Sequence, residues 1–169
     1  MLFFIAPSAD LIKRHVTYDF EVERTKLRDK LQKIPGGISV TTDIWTTETY
    51  DKSFMSVTIH YLNSSWKLRS ILLDFISMKG SHTGIAISNA METCLQEMRI
   101  TSKLIAITRD NASSNNRFLQ EFASSLSRIG IQFDSTQQSI RCFGHILNLA
   151  VQSMLDIVGN ELERVSITS

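Results

Sequence analysis

Two aspartates stand at positions where the sequence needs a reason for a carboxylate. Asp43 interrupts the β-branched run TTDIWTT, and Asp110 comes just after the apolar run KLIAIT at residues 103–108. Burying a carboxylate on a strand costs free energy unless something binds it. If the two strands are neighbours, both carboxylates reach one edge of the sheet. Two hard oxygen ligands there would suit Mg²⁺ or Mn²⁺, and two such ions can act on a phosphodiester.

Each aspartate also has a simple structural interpretation. Asp43 alone is typical of a turn at the end of a strand, and Asp110 followed by asparagine is typical of an Asx turn or a helix N-cap. Trp45 and Trp66 have the same ambiguity, since large aromatics on strands are mainly core residues and stack on a base only in the minority of cases. The pair of acids is therefore more informative than either acid alone.

A second motif, RCFGHILNLAVQ at residues 141–152, puts Cys142 and His145 at the start of a helix. A structural zinc site needs four ligands, and the remaining His and Cys residues lack partner spacing, so no structural zinc is expected. One interpretation is a buried cysteine with a capping histidine. The other is that His145 contacts a phosphate or orients a carboxylate, with Arg109 and Arg141 as further phosphate contacts near a helix N-terminus.

Composition narrows the class of protein. The 169 residues are 43% hydrophobic with a net charge of +1, which fits one globular domain and excludes a histone-like or strongly acidic protein. Residues 99–141 hold six basic and three acidic side chains, an excess too small to establish DNA binding. Two cysteines form no disulfide framework, and the opening MLFFIAP is too short for a signal peptide or a membrane span. An intracellular protein without membrane contact is expected.

Periodicity predicts the elements that position these residues. A helical arm at residues 8–34, with Ser8 as N-cap, ends at Pro35-Gly36-Gly37 and precedes the main domain. Alternation then predicts an antiparallel meander, and the remaining segments predict crossovers that make a mixed sheet covered by helices. The predicted strands are 38–45, 53–62, 66–78, 103–108 (buried on both faces) and 139–142. The predicted helices are 85–98, preceded by a cap within residues 81–84, then 114–126 and 143–158, the last with Ile146, Leu147, Leu149, Ala150, Met154 and Ile157 buried.

Four strings in this order resemble the catalytic domain of hAT-superfamily transposases, including BED-zinc-finger, ricesleeper-like proteins. They are GGISVTTDIWTT, GSHTG, LIAITRDNASSNN and IRCFGHILNLAVQ, and the resemblance covers about residues 36–158. It implies a partial RNase H-like domain at residues 36–169, an α/β fold whose mixed sheet carries a DDE site for metal-dependent DNA strand transfer. Asp43 and Asp110 match the first two acids, and Cys142 and His145 match the Cys-x-x-His motif. Trp45 would belong to the packing that fixes the strand end.

The resemblance also implies what this chain lacks. The family's third carboxylate, a glutamate, follows a large inserted helical domain, whereas this sequence ends at Ser169 without a marked equivalent. We therefore expect a fragment or domesticated remnant that holds Mg²⁺ or Mn²⁺ weakly and is inactive alone. Leu149, Met154 and Val158 would be exposed where the inserted domain is missing. The resemblance implies a nuclear protein that binds DNA, and a copy of itself or a full-length transposase as partner. The alternative is a non-catalytic DNA- or protein-binding module on the same fold.

Overall fold

The computed structural model describes residues 7–47, 52–78, 83–110 and 114–167 as an α/β structure around one mixed sheet. The predicted fold class, an RNase H-like mixed sheet, is confirmed. The elements in chain order are α1 (Ala9–Gln32), β1 (Ile38–Thr46), β2 (Ser53–Leu62), β3 (Leu68–Met78), α2 (Gly84–Glu97), a short 3-10 turn (Thr101–Lys103), β4 (Leu104–Arg109), α3 (Ser114–Arg128), β5 (Ser139–Arg141) and α4 (Phe143–Ile167).

The sheet has the strand order β3-β2-β1-β4-β5. The first three strands form the predicted antiparallel meander, whereas β4 pairs with β1 in parallel and β5 pairs with β4 in parallel. Parallel neighbours need a crossover, and α2 and α3 supply it. The strand with the first acid is therefore central, next to the strand that leads to the second.

One face of the sheet is covered and the other is open. Val40, Met55, Val57 and Ile107 point into a core completed by apolar side chains of α2 and α3, including Met91 and Phe118. Helices α2 and α3 pack closely where α2 begins. A Cβ at Gly84 would lie only 2.7 Å from the carbonyl carbon of Arg117 on α3. The opposite face, which carries alternate residues of the same strands, stays accessible.

The second half of α1 is fastened to this core. Leu31 is fully buried, and Arg24 forms ion pairs with Asp74 at 3.2 Å and Glu97 at 2.5 Å. The Lys103 ammonium group donates to the carbonyl oxygens of Leu31, Gln32 and Ile34 at 2.8–3.0 Å, where a cation also complements the helix dipole. The start of β4 is thus tied to the chain that enters β1.

Several local predictions are confirmed. Ser8 caps α1, since its hydroxyl accepts a hydrogen bond from the Leu11 amide at 3.3 Å. Thr83 caps α2 in the same way through the Ala86 amide at 3.2 Å, while residues 81–82 lie outside the described residues. Of the two expectations for α4, the exposure of Leu149, Met154 and Val158 that the resemblance implied is confirmed, whereas the burial that periodicity predicted is not. In the part of the chain that the structure describes, no helix is both long and apolar enough to cross a bilayer.

Other predictions are wrong. The expected buried face of α4 is exposed, because no element in the described residues packs against it: Ile146, Leu147, Leu149, Ala150, Met154 and Ile157 all face solvent. Strand β4 is not buried on both faces, since Ile105 is 53% exposed on the uncovered side. Trp66 belongs to the turn before β3 rather than to the strand, and its side chain is 83% exposed.

Candidate metal centre

The parallel pairing of β1 and β4 determines where the two aspartates lie. The register pairs Val40 with Ile107 and Thr41 with Thr108. Continued for two more residues on each strand, it places Asp43 beside Asp110. Because neighbouring strands lie about 4.8 Å apart, the two Cα atoms are then about 5 Å from each other. Continuation of the register would bring the two carboxylates together at the carboxyl ends of adjacent parallel strands, and their convergence stays a prediction.

Strand alternation directs both acids to the open face. Thr42 and Arg109 are buried on the covered side, with exposed fractions of 5% and 7%. Their successors Asp43 and Asp110 consequently point the other way. Asp43 is exposed and Asp110 is half-buried, so solvent can reach this end of the sheet. Ligands of open α/β sheets typically bind outside such strand ends.

Strand β5 brings the Cys-x-x-His motif to the same edge. It pairs Arg141 with Arg109, and the Cys142 amide donates to the Arg109 carbonyl oxygen at 2.7 Å. The Cys142 carbonyl oxygen in turn accepts from the Ile146 amide at 3.1 Å and so opens α4. His145 lies half-buried in the first turn of this helix. Cys142 and the N-terminus of α4 thus lie at the end of β5, the strand next to the one that leads to Asp110. The backbone amides of a helix N-terminus can bind a phosphate.

Arg109 occupies a different position from the predicted phosphate contact. Its guanidinium lies inside the covered face and donates to the Asp110 carbonyl oxygen at 3.0 Å and to Asn116 Oδ1, on α3, at 3.1 Å. Burial lowers the pKa of Arg109, the neighbouring Arg141 lowers it further, and Asp110 partly opposes this. Arg109 therefore holds the backbone of Asp110 from inside. Arg141 is exposed, and its contact with phosphate stays a prediction.

Two buried polar atoms accompany this arrangement. Arg109 Nε and Thr42 Oγ1 have no hydrogen-bond partner among the described residues, although the continued register places the two residues side by side. Neither Thr42 nor Asn116 was singled out from the sequence. A threonine directly before the first acid, and an arginine directly before the second, are the only sequence signals that could have marked this inner layer.

An aromatic cluster flanks Asp43 on the open face. The Trp45 ring centroid lies 6.1 Å from that of Phe54 and 5.3 Å from that of Phe75, and the two phenylalanine rings are 5.0 Å apart. The three residues lie on β1, β2 and β3, so the cluster joins the ends of the meander beside the acid. This fits the expected packing role of Trp45. Phe54 and Phe75 were not singled out from the sequence.

The donor set suits a hard divalent cation in part. Two carboxylates offer the oxygen ligands that Mg²⁺ and Mn²⁺ prefer, and Mg²⁺ is commonly held by one or two carboxylates with waters and substrate phosphates completing its shell. Within the described ranges, no group of three or more His, Cys, Asp or Glu side chains could hold a metal ion. Asp43 and Asp110 could thus bind a cation together with a phosphate, but they form no closed site by themselves.

Comparison with known proteins gives the class to which this fold and edge belong. The family model of the ZBED1 RNase-like domain matches residues 41–138, which include both aspartates. The chain is therefore an RNase H-like domain of the type found in transposases and their relatives. It belongs to the hAT transposase family.

Individual relatives agree with this assignment. The chain is 32% identical over 153 residues to the "Putative transcriptional regulator tpeD" of Talaromyces stipitatus, with 89% of this chain and 18% of the relative covered. It is 31% identical over 145 residues to the "Putative AC transposase" of Zea mays, covering 85% and 18% of the two chains. The "Zinc finger BED domain-containing protein RICESLEEPER 2" of Oryza sativa subsp. japonica is 27% identical over 140 residues, 80% and 19% of the chains. The chain thus spans less than a fifth of these relatives' length.

Proposed function

We propose that Asp43 and Asp110 hold a divalent cation, and that this chain supplies these two ligands to a site for nucleic-acid strand cleavage and transfer. The single observation that supports the proposal is the parallel register of β1 and β4, which pairs Thr41 with Thr108 and, if extended by two residues, would bring the two acids side by side. The relatives that are named transposases supply the reaction class. The identity of the cation, Mg²⁺ or Mn²⁺, follows from the two hard oxygen ligands.

The side chains around the acids have separate parts in this proposal. Asp43 and Asp110 hold and orient the cation, which when bound would activate a nucleophile and stabilise charge on a phosphodiester. Arg109 fixes the backbone of Asp110 through its hydrogen bond to the carbonyl oxygen. His145 and the amide groups at the start of α4 lie where a phosphate of the bound strand would gain from the helix dipole. Arg141 adds a positive charge at the same strand end.

Two carboxylates are enough for cation binding but not for efficient chemistry. Fewer anionic ligands leave the ion loosely positioned, and a small misplacement greatly slows an in-line displacement. We therefore propose that this chain binds nucleic acid in a cation-assisted way and does not cleave it unaided. The third carboxylate that the family resemblance implies would have to come from elsewhere in a longer protein or from a partner.

A non-catalytic binding module is the second candidate. One observation favours it: a relative named as a transcriptional regulator matches 89% of this chain. In that case, the acids remain only as polar residues at the sheet edge. Nucleic-acid binding and a nuclear location are common to both candidates, whereas cation binding distinguishes them.

A cation titration tests the proposal. Mn²⁺ is added to the chain in thermal melts, and we expect a saturable rise in Tm that is lost in Asp43→Asn and in Asp110→Asn. Asp19→Asn, an exposed carboxylate on α1, is the matched control and should retain the rise. A rise that is equal in all four proteins would show general ion binding and would refute the metal centre.

Nucleic-acid binding is tested separately by a gel-shift series in increasing salt. Contacts to phosphates release counterions, so affinity should fall steeply between about 50 and 200 mM salt. Binding that stays constant over this range would exclude a phosphate-dominated surface. Sedimentation in the same buffers shows whether the bound form is a monomer or the proposed homo-oligomer.

A further inference from the structure

A recess lies at one end of the sheet, and Asp43 and Asp110 lie towards the other end. It is a pocket of about 440 Å³ between the loop that enters β1 and the hairpin that joins β2 to β3. Its walls are mainly apolar and include Pro35, Gly36, Leu62, Trp66 and Leu68. Pockets of this size, with few polar groups, accommodate small planar molecules. Ser39, which also lines it, precedes Asp43 by four residues, so the pocket is about 13 Å from the first acid along β1.

Trp66 in this pocket has an unusual backbone conformation. Its φ of 57° lies in the left-handed region, at the position of the hairpin where glycine is usual. Such a conformation costs a bulky residue free energy, because its Cβ comes too close to the following carbonyl oxygen. The side chain is 83% exposed, so contacts within the protein do not offset that cost. Strain of this kind at an exposed aromatic side chain indicates a ligand contact.

A groove lined by positive charge adjoins the pocket. The two recesses share Pro35, Tyr61, Asn63 and Ser64. The groove has a volume of about 620 Å³ and receives Lys30 and Lys33 from the end of α1 and Arg69 from β3, while no acidic side chain belongs to its described lining. These three positively charged side chains, with no carboxylate in the described lining, favour the binding of an anion.

The remaining wall of the pocket is fixed in place. His60 Nε2 lies 2.9 Å from Thr41 Oγ1, and its Nδ1 lies 2.8 Å from Ser70 Oγ. Both ring nitrogens thus have a hydrogen-bonding partner, which holds the imidazole in place at this wall of the pocket.

We propose that these two recesses form one nucleotide-binding site. The base stacks on the indole of Trp66 in the apolar pocket, since stacking on an aromatic side chain accepts any base. The phosphate lies in the adjoining groove, where Lys30, Lys33 and Arg69 provide charge-assisted hydrogen bonds. The nucleotide unit comes either from a single nucleic-acid strand or from a free nucleotide. The proposed nucleotide site shares no residue with the candidate metal centre, so either proposal can be refuted without affecting the other.

Fluorescence of Trp66 provides a direct test. The sequence has two tryptophans, so Trp45→Phe leaves Trp66 as the only indole. This protein is titrated with adenosine monophosphate and with a six-residue oligothymidylate at low salt. Saturable quenching by both is expected: at least tenfold tighter binding of the oligonucleotide identifies a strand as the source, and equal or tighter binding of the nucleotide identifies a free nucleotide. Absence of quenching by either ligand at millimolar concentration would overturn the proposal.

Substitutions separate binding from folding, with affinity measured by anisotropy of the fluorescein-labelled form of whichever ligand binds tighter. Trp66→Gly removes the stacking ring and relieves the backbone, so a higher Tm and at least tenfold weaker binding are expected together. Gly36→Phe adds a large side chain to the pocket lining at a position where a Cβ would meet no heavy atom within 4 Å, and should also weaken binding. Gly36→Ala is its control and should bind as the unaltered chain does. Unchanged affinity in both Trp66→Gly and Gly36→Phe would refute the site.

The groove is tested by its dependence on salt. Lys30→Ala and Lys33→Ala should each weaken binding of the strand and lower the slope of log K against log salt by about 1. Lys13→Ala, an exposed lysine earlier on α1, is the matched control and should leave the slope unchanged. Equal effects of all three substitutions would indicate general charge attraction and would contradict a groove that holds a phosphate.

Discussion

The placement of the two acids predicts a specific coupling between them. At about 5 Å, and with Asp43 exposed so that the local dielectric is close to that of water, two carboxylates repel each other by roughly 0.8 kcal/mol. Neutralising either acid relieves the same repulsion. In a double-mutant cycle of Asp43→Asn and Asp110→Asn, the two gains in unfolding free energy should therefore fall short of additivity. The expected interaction energy in EDTA is about −0.8 kcal/mol.

A shared cation should reverse the sign of this coupling. At ten times its dissociation constant, a ligand that binds only the folded state stabilises it by about 1.4 kcal/mol. Either substitution alone abolishes that gain, so the double variant loses no more than each single one. The interaction energy then rises by about 1.4 kcal/mol and becomes positive, at about +0.6 kcal/mol.

The assay is urea unfolding at pH 7 and low ionic strength, with EDTA or with saturating Mn²⁺. The cycle cancels any other contact that each aspartate makes singly, which matters because Asp110 has further interactions. A second cycle that combines Asp43→Asn with Asp19→Asn on α1 is the control and should give an interaction energy near zero in both buffers. Additive changes for the Asp43 and Asp110 pair in both buffers would refute the side-by-side placement.

Three further predictions concern the fold. Gly84→Ala should lower the unfolding free energy by about 1–2 kcal/mol in urea titrations, because the new methyl group meets the backbone of Arg117; Gly36→Ala, which meets open space, should not. Burial raises the pKa of the Cys94 thiol to about 12, so in native protein at pH 8 a thiol reagent should modify Cys142 and reach Cys94 only after unfolding. Since the raised pKa keeps the folded thiol protonated, this contribution to stability is complete below pH 9 and is lost as the pH rises towards 12. Backbone amides of α4 should exchange with solvent at least a hundredfold faster than those of α2, because α4 lacks packing against the described core; equal protection would contradict its exposure.

The sequence was sufficient to predict the kind and order of the elements. Alternation in β2 and the Pro35-Gly36-Gly37 break are local signals, and the structure reproduces both. The buried face of α4 was wrongly predicted for a physical reason. Periodicity shows which side of a helix is apolar, but it carries no information on whether another element covers that side. Ile146 and Leu147 satisfy the pattern and are still 41% and 53% exposed.

The candidate metal centre was predicted only in outline. The strings around Asp43 and Asp110 pointed to two strand ends, but their side-by-side placement depends on a pairing between strands that are distant in sequence. Burial of Arg109 was not foreseen, since an arginine beside an acid usually indicates a surface contact with phosphate. Trp66 was expected in the core because tryptophan side chains on strands are usually buried. The turn between β2 and β3 instead directs its side chain into solvent.

The buried layer beneath the acids explains why they face the substrate side at all. Side chains alternate along a strand, so the inward positions of Thr42 and Arg109 direct Asp43 and Asp110 to the open face. A slip of one residue in either strand would turn its acid into the core and separate the pair. Arg109 opposes such a slip, because its guanidinium joins the Asp110 carbonyl oxygen to Asn116 on α3. The α2 and α3 layer would thus set the geometry of the proposed metal centre without contributing a ligand to it.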